Sequence, residues 1–205
     1  MVQQFEDQSL EKTALVILAA GASTRMGWPK QLLPIEGKAL VRHVAEMALA
    51  TRCEPVIVVT GSSGEQVATA VDGLPVNVVR NEAWEGGMGT SIVAGVRAAD
   101  EAGCSGLILA LVDQPFITTE IFKELVRQHH ASGKPIVASE YAGTVGVPVY
   151  FSREYFPNLL ALGPSEGCKR LILSHATDVR RVPCPEAERD LDTREEYQAL
   201  QSPVS

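Results

Sequence analysis

Short, mostly apolar runs alternate with stretches of helical periodicity along most of this chain. The first four runs are residues 15–18, 56–59, 76–79 and 107–112. Each has the length of a strand, and 107–112 is apolar throughout, as a strand covered on both faces must be. Between them, residues 38–51 place Leu40, Val44, Met47 and Ala48 at helical spacing. Residues 64–71 turn Val67 and Val71 inward, and 89–102 turn Ile92, Val93, Val96 and Ala99 to one side. A further helix after Thr118 or Thr119 presents Ile121, Leu125 and Val126. Strands are expected at 136–138, 147–151 and 179–182, helices around 152–161 and 168–175, and a last helix runs to Leu200. Alternation of this kind predicts an α/β, Rossmann-like fold with a mostly parallel, doubly wound sheet. At 205 residues one domain is expected, spanning 13–205 behind a polar, frayed stretch at 1–12.

In such sheets ligands bind outside the carboxyl ends of strands. Three features stand at those ends: the segment after Leu18, Thr60-Gly61, and Asp113-Gln114-Pro115. The first leaves its strand through Ala19, Ala20 and Gly21 with almost no side-chain bulk, then carries two cations, Arg25 and Lys30. Bare backbone followed by cations describes a polyphosphate cradle. Met26 and Trp28 on the same loop are costly unless something packs over them. The loop is neither a dinucleotide fingerprint nor a Walker A loop, because G-x-G-x-x-G and G-x-x-x-x-G-K-[ST] are both missing. A second constellation spans 81–92, where three glycines surround Met88, and Thr90 and Ser91 open a helix with a favourable dipole and free N–H donors. The third, Asp113, ends a strand too apolar to hold an unpaired charge comfortably.

The formal net charge of −7 argues against non-specific nucleic-acid binding and against an anionic membrane surface. No apolar run reaches the roughly 20 residues of a membrane helix. Cys53, Cys104, Cys168 and Cys184 stand without C-x-x-C or Cys/His spacing and read as reduced cysteines of a cytoplasmic protein. The four histidines, His43, His129, His130 and His175, share no spacing that suggests a metal or a catalytic triad.

Residues 18–30 resemble the signature L-A-A-G-x-S-x-R-M-G-x-x-K of nucleotidyltransferases that activate small phosphorylated molecules. The resemblance is strongest to the molybdenum cofactor cytidylyltransferases, within the molybdopterin-guanylyltransferase-like group, and continues through Gln31-Leu32-Leu33-Pro34. Residues 81–92 are similar to the family's N-x-x-W-x-x-G-M-x-x-S-[IL], and 113–115 match its D-Q-P. The guanylyltransferase branch carries a second Gly after A-A-G and an acid before the lysine; Ala22 and Pro29 here lean toward cytidine.

The resemblance implies transfer of CMP from CTP to the terminal phosphate of molybdopterin, with pyrophosphate released. It implies that backbone from Leu18 through Ala19, Ala20 and Gly21 lines the nucleotide, with Thr60 and Gly61 nearby. Arg25 and Lys30 would neutralise the triphosphate, and Asn81, Gly87 and Ser91 would surround base and ribose. Asp113 would bind Mg²⁺ with a second carboxylate from Asp190-Leu191-Asp192-Thr193. Asp190 and Asp192 are both candidates, Asp192 preferred, while Leu191 points to the core and Thr193 caps the last helix. A molybdenum hydroxylase is the implied recipient of the product. The family's G-H-P appears as Gly146-Val147-Pro148, and its G-D-x-G-A-R as residues 164–169, Pro-Ser-Glu-Gly-Cys-Lys. Both departures fall in the acceptor half. Alternatives are GTP or another phosphorylated acceptor, a non-catalytic cofactor-binding or chaperone protein, and a redox enzyme using the sheet for a dinucleotide.

Overall fold

The computed structural model describes residues 12–24, 26–191 and 193–201. Among the described residues there are nine strands: β1 (Thr13–Ala19), β2 (Pro34–Ile35), β3 (Lys38–Ala39), β4 (Val56–Thr60), β5 (Asn77–Arg80), β6 (Gly106–Leu111), β7 (Ile136–Tyr141), β8 (Thr144–Ser152) and β9 (Val179–Pro183). The helices are α1 (Leu40–Leu49), α2 (Gly64–Ala70), α3 (Met88–Glu101), α4 (Thr119–Ser132), α5 (Phe156–Leu160), α6 (Cys168–Ser174) and α7 (Arg194–Gln201). Seven strands form one sheet in the order β5-β4-β1-β6-β8-β7-β9; β2 and β3 make a small separate ribbon.

Period-two alternation explains why the central strands are apolar on both sides. Leu15 and Ile17 of β1, Val58 of β4 and Ile108 of β6 pack beneath Leu40 and Val44 of α1 and Phe122 and Leu125 of α4. Their neighbours Val16, Ile57, Val59, Leu107 and Leu109 face the opposite layer, with Ile92 and Val96 of α3 and Phe156 of α5. Phe122, absent from the expected inward set of α4, is the large buried side chain there.

β8 alone opposes the other strands of the sheet, pairing antiparallel with both β6 and β7. Its direction follows from its connection. Only Ala142 and Gly143 separate β7 from β8, at φ of 48° and 71°. Two left-handed residues make a hairpin turn, which returns the chain beside itself and leaves no length for a crossover. Both hairpin strands exceed the runs expected from sequence. The register shifts between Ala138 and Ser139, where the Ser139 hydroxyl donates to the Pro148 carbonyl at 2.7 Å.

The start of the sheet is anchored by Lys12, whose carbonyl accepts from the Ser105 N–H at 2.9 Å. The remainder of the stretch expected to fray, residues 1–11, lies outside the described residues. At the other edge of the sheet, Ala19 pairs with Thr60 and Leu18 with Leu111, so β1, β4 and β6 end side by side.

Close approach of α3 to that central group depends on Gly95. A Cβ there would collide with Val16 Cγ1 and stand 3.2 Å from Val59 Cγ2. Gly95→Ala raises helix propensity by about 1 kcal/mol, yet overpacking of this contact is expected to lower net stability by about 1–3 kcal/mol. A urea midpoint equal to or above that of the parent would contradict this packing.

Candidate functional site

Leu18, Ala19 and Ala20 are buried at the exit of β1, whereas Gly21 is exposed, with open space where a Cβ would project. The carbonyls here are held inward. Ala19 O and Gly21 O accept from the Gln31 side-chain amide at 3.1 and 2.6 Å, and Ala20 O accepts from the Ser62 N–H at 3.2 Å. Ser23, at φ 51°, turns the loop, and its carbonyl accepts from the amides of Met26 and Gly27 at 3.0 and 3.2 Å. Gly27 takes φ 70°, a conformation suited to glycine. Met26 packs into the protein, but Trp28 remains 66% exposed, so the expected cover exists for only one of the two. Arg25 lies outside the described residues.

Lys30 opens a short 3₁₀ turn, Lys30–Leu32, and its backbone N–H donates to Ser23 Oγ at 3.0 Å. Its ammonium forms an ion pair with Asp113 Oδ2, with side-chain exposures of only 15% and 14%. Strand order brings the two together: β1 and β6 are neighbours, and each charged residue follows one strand's end. The other carboxylate oxygen, Asp113 Oδ1, is buried without a hydrogen-bond partner. A buried acceptor of that kind is costly in the free protein and suits a hard divalent cation. Among the described residues no three His, Cys, Asp or Glu side chains gather as a ready-made metal site.

Thr60 is buried, and its carbonyl accepts from the Asn81 N–H at 2.8 Å. Gly61 permits close packing: a Cβ would lie 2.6 Å from Ala20 O and 2.7 Å from Trp84 Cβ. The Asn81 amide donates to Thr90 Oγ1 at 2.8 Å and Ser91 Oγ at 3.0 Å, while its oxygen accepts from Ala83 N at 3.0 Å. Asn81 therefore braces the start of α3 from within. The expectation of free amides at that helix end needs correction at two positions, because Gly89 N–H donates to Pro164 O at 2.8 Å and Thr90 N–H to Gly87 O at 3.2 Å. Gly87, at φ 116°, would place a Cβ 3.0 Å from the same carbonyl. Residues 163–166, overlapping the 164–169 stretch that departs from the family pattern, thus pack directly against the second constellation.

The C-terminal segment returns to Asp113. Leu191 is buried, and its N–H donates to Asp113 O at 2.9 Å. Asp190 is exposed, and Asp192 lies outside the described residues. Thr193 Oγ1 accepts from Glu196 N at 3.2 Å, and Glu196 Oε2 accepts from Thr193 N at 2.8 Å. This reciprocal capping box starts α7. Nearby, burial and then the Asp190 charge push the Tyr141 phenol up to about 12, so it stays neutral at physiological pH.

The MobA-like NTP transferase domain matches residues 15–179. The chain belongs to that family of nucleotidyltransferases. The purine catabolism protein PucB of Bacillus subtilis is 31% identical over 93% of this chain and 96% of its own length. A Mycobacterium tuberculosis protein named "Probable molybdenum cofactor guanylyltransferase" is 38% identical over 55% of this chain; the match spans 54% of that relative. Among solved structures, the manganese complex of Rv0371C from Mycobacterium tuberculosis superposes with a TM-score of 0.75 at 26% identity. It covers 94% of this chain and 100% of that one.

For this MobA-like transferase, the motifs contain Ser23, Gln31 and Gln114, but motif reading assigned them no role. Gln31 binds two loop carbonyls, and Gln114 Nε2 donates to Ala187 O at 2.9 Å, tying the D-Q-P turn to the C-terminal segment. The available signal was weak: a polar residue enclosed by apolar or rigid neighbours. The ion pair has a direct test. Lys30→Met leaves both Asp113 oxygens without a hydrogen-bonding partner and is expected to cost about 1–3 kcal/mol. Adding Asp113→Leu should recover most of that loss, read as coupling in urea unfolding. Additive losses would show that the two side chains do not depend on one another.

Proposed function

We propose that this chain transfers CMP from CTP to the terminal phosphate of a molybdopterin-type acceptor. An acceptor phosphate oxygen attacks the α-phosphorus; the bond from that phosphorus to the bridging oxygen breaks in line, and pyrophosphate departs. The observation that carries the reading is the Lys30–Asp113 pair at the ends of adjacent parallel strands, with Asp113 Oδ1 buried and unpartnered beside it. In this mechanism Lys30 shifts from the carboxylate to the triphosphate, joined by Arg25, and stabilises charge that grows as the α-phosphate reacts. A phosphate monoester is already nucleophilic, so positioning replaces a strong general base.

Mg²⁺ held by Asp113, with Asp192 or Asp190, would supply positive charge next to the α-phosphate. The family's nucleotide chemistry and the manganese complex of Rv0371C support a divalent cation. Asn81, Gly87 and Ser91 shape the nucleoside side of the site, Asn81 from behind. Ala22 and Pro29 favour CTP. The relative named as a guanylyltransferase supports a second reading in which GTP is the donor. The product would pass to a molybdenum hydroxylase in the cytoplasm, where four free cysteines would stay reduced.

Pyrophosphate release across the four nucleotides, with molybdopterin as acceptor, tests the proposal. CTP is expected to exceed GTP by about tenfold in kcat/KM, equivalent to about 1.4 kcal/mol. Faster GTP turnover would establish the second reading, and no release with any nucleotide would leave a binding protein. Lys30→Ala should lower kcat by about 10²–10³-fold, with a smaller effect on nucleotide affinity. The carboxylates have a separate readout. Asp192→Asn should raise the Mg²⁺ concentration for half-maximal activity by about tenfold or more, and Asp190→Asn by less. Unchanged Mg²⁺ dependence in both variants would confine this segment to its cap.

A further inference from the structure

Gln31 is polar, uncharged and 1% exposed, directly under the loop assigned to the triphosphate. It is the middle residue of the 3₁₀ turn that begins with Lys30. Its Nε2 reaches both Ala19 O and Gly21 O, at 3.1 and 2.6 Å. Its Oε1 stands 3.5 Å from Ser23 Oγ, the same hydroxyl that holds the Lys30 N–H at 3.0 Å. One buried amide therefore touches the strand exit and, through a hydroxyl, the backbone of the cationic residue.

The consequence lies in the peptide planes. In a trans peptide the C=O of one residue and the N–H of the next point in opposite directions. Fixing Gly21 O toward Gln31 turns the Ala22 N–H away from it, and fixing Ala20 O on Ser62 does the same for the Gly21 N–H. Gly21 and Ala22 are exposed, and neither N–H has a protein partner among the described residues. Had the carbonyls faced outward instead, their partial negative charge would repel a polyanion. Successive outward N–H groups attract one.

We infer that Gln31 is a positioning residue that presets the loop for anions without touching them. It rests on the reading of this loop as the nucleotide's phosphate site. The orientation is established before ligand arrives, so it acts on ground-state affinity. Lys30, in contrast, meets charge that develops during transfer.

Three variants separate these roles. Gln31→Leu keeps the approximate size and removes the donors. Gln31→Glu keeps the shape but, when ionised, sets a carboxylate against two carbonyls. Ser23→Ala cuts only the hydroxyl link from a half-exposed loop position, and it carries the test if either Gln31 variant fails to fold. For each Gln31 variant, KM for the nucleotide should rise about tenfold or more, with kcat at saturation changing less than about threefold. Ser23→Ala should raise KM by about threefold with kcat unchanged. Isothermal titration with inorganic tripolyphosphate should show the same loss of affinity in the absence of nucleoside. A fall in kcat at unchanged KM, or tripolyphosphate binding equal to the parent's, would overturn the positioning role. Tripolyphosphate binding by the parent without pyrophosphate release from any nucleotide fails the functional reading alone. No tripolyphosphate binding by the parent overturns the cradle and this inference with it.

Discussion

The ion pair between Lys30 and Asp113 joins the two strand exits on which the site depends. Each partner is costly alone: an ammonium and a carboxylate, both largely removed from water, offset desolvation by pairing. Asp113 nevertheless keeps a second oxygen with no hydrogen-bond partner. The pair therefore satisfies the free protein incompletely. A triphosphate offers the ammonium more negative charge than one carboxylate does, and a divalent cation offers the carboxylate more positive charge than one lysine. On the proposed function, each ligand would release the partner needed by the other, and the two would bind cooperatively.

The sheet makes this juxtaposition possible. Parallel strands in the order β4-β1-β6 end in register, and their following loops have to share one edge. Apolar side chains on both faces hold those strands between two helical layers, leaving the edge as the place where polar groups can converge. Gly61 and Gly95 then let neighbouring elements come closer than any side chain would permit. Core packing thus fixes the strand ends from which the loops carrying Lys30 and Asp113 depart.

How much of this was legible follows from the range of each signal. β1, β4 and β6 were visible because a fully covered strand has a local signature, and the loop motifs were visible because their residue types sit close in sequence. The reversal of β8 was not, since Ala142-Gly143 is a weaker hairpin signal than Asn-Gly and alternation suggested parallel strands. β5 was expected as a strand, but its place at the sheet edge depends on strand order, which local pattern does not contain. Gln31 and Gln114 were missed for a related reason. A glutamine reads as surface until the fold reveals carbonyls around it, here Ala19 and Gly21 for one and Ala187 for the other. Asn81 carried a different ambiguity: its motif suggested a ligand contact, and its side-chain amide also bonds within the protein, to Thr90, Ser91 and Ala83.

The C-terminal segment holds both sides of the ion pair. On the Asp113 side, Leu191 N–H donates to Asp113 O, and Gln114 grips Ala187. Arg189 lies over the Phe116 ring with 3.8 Å to its centroid, adding a cation–π contact on the same turn. On the Lys30 side, the Tyr197 hydroxyl of α7 donates to Pro34 O at 2.9 Å, just beyond the turn that carries Lys30. Lys30 and Asp113, 83 positions apart in sequence, are thereby held from one strap. Backbone bonds at Asp113 and the capping box at Thr193 fix the strap locally. This explains how Asp190 can be exposed while the adjacent Leu191 is buried: the segment is positioned by its apolar and backbone contacts.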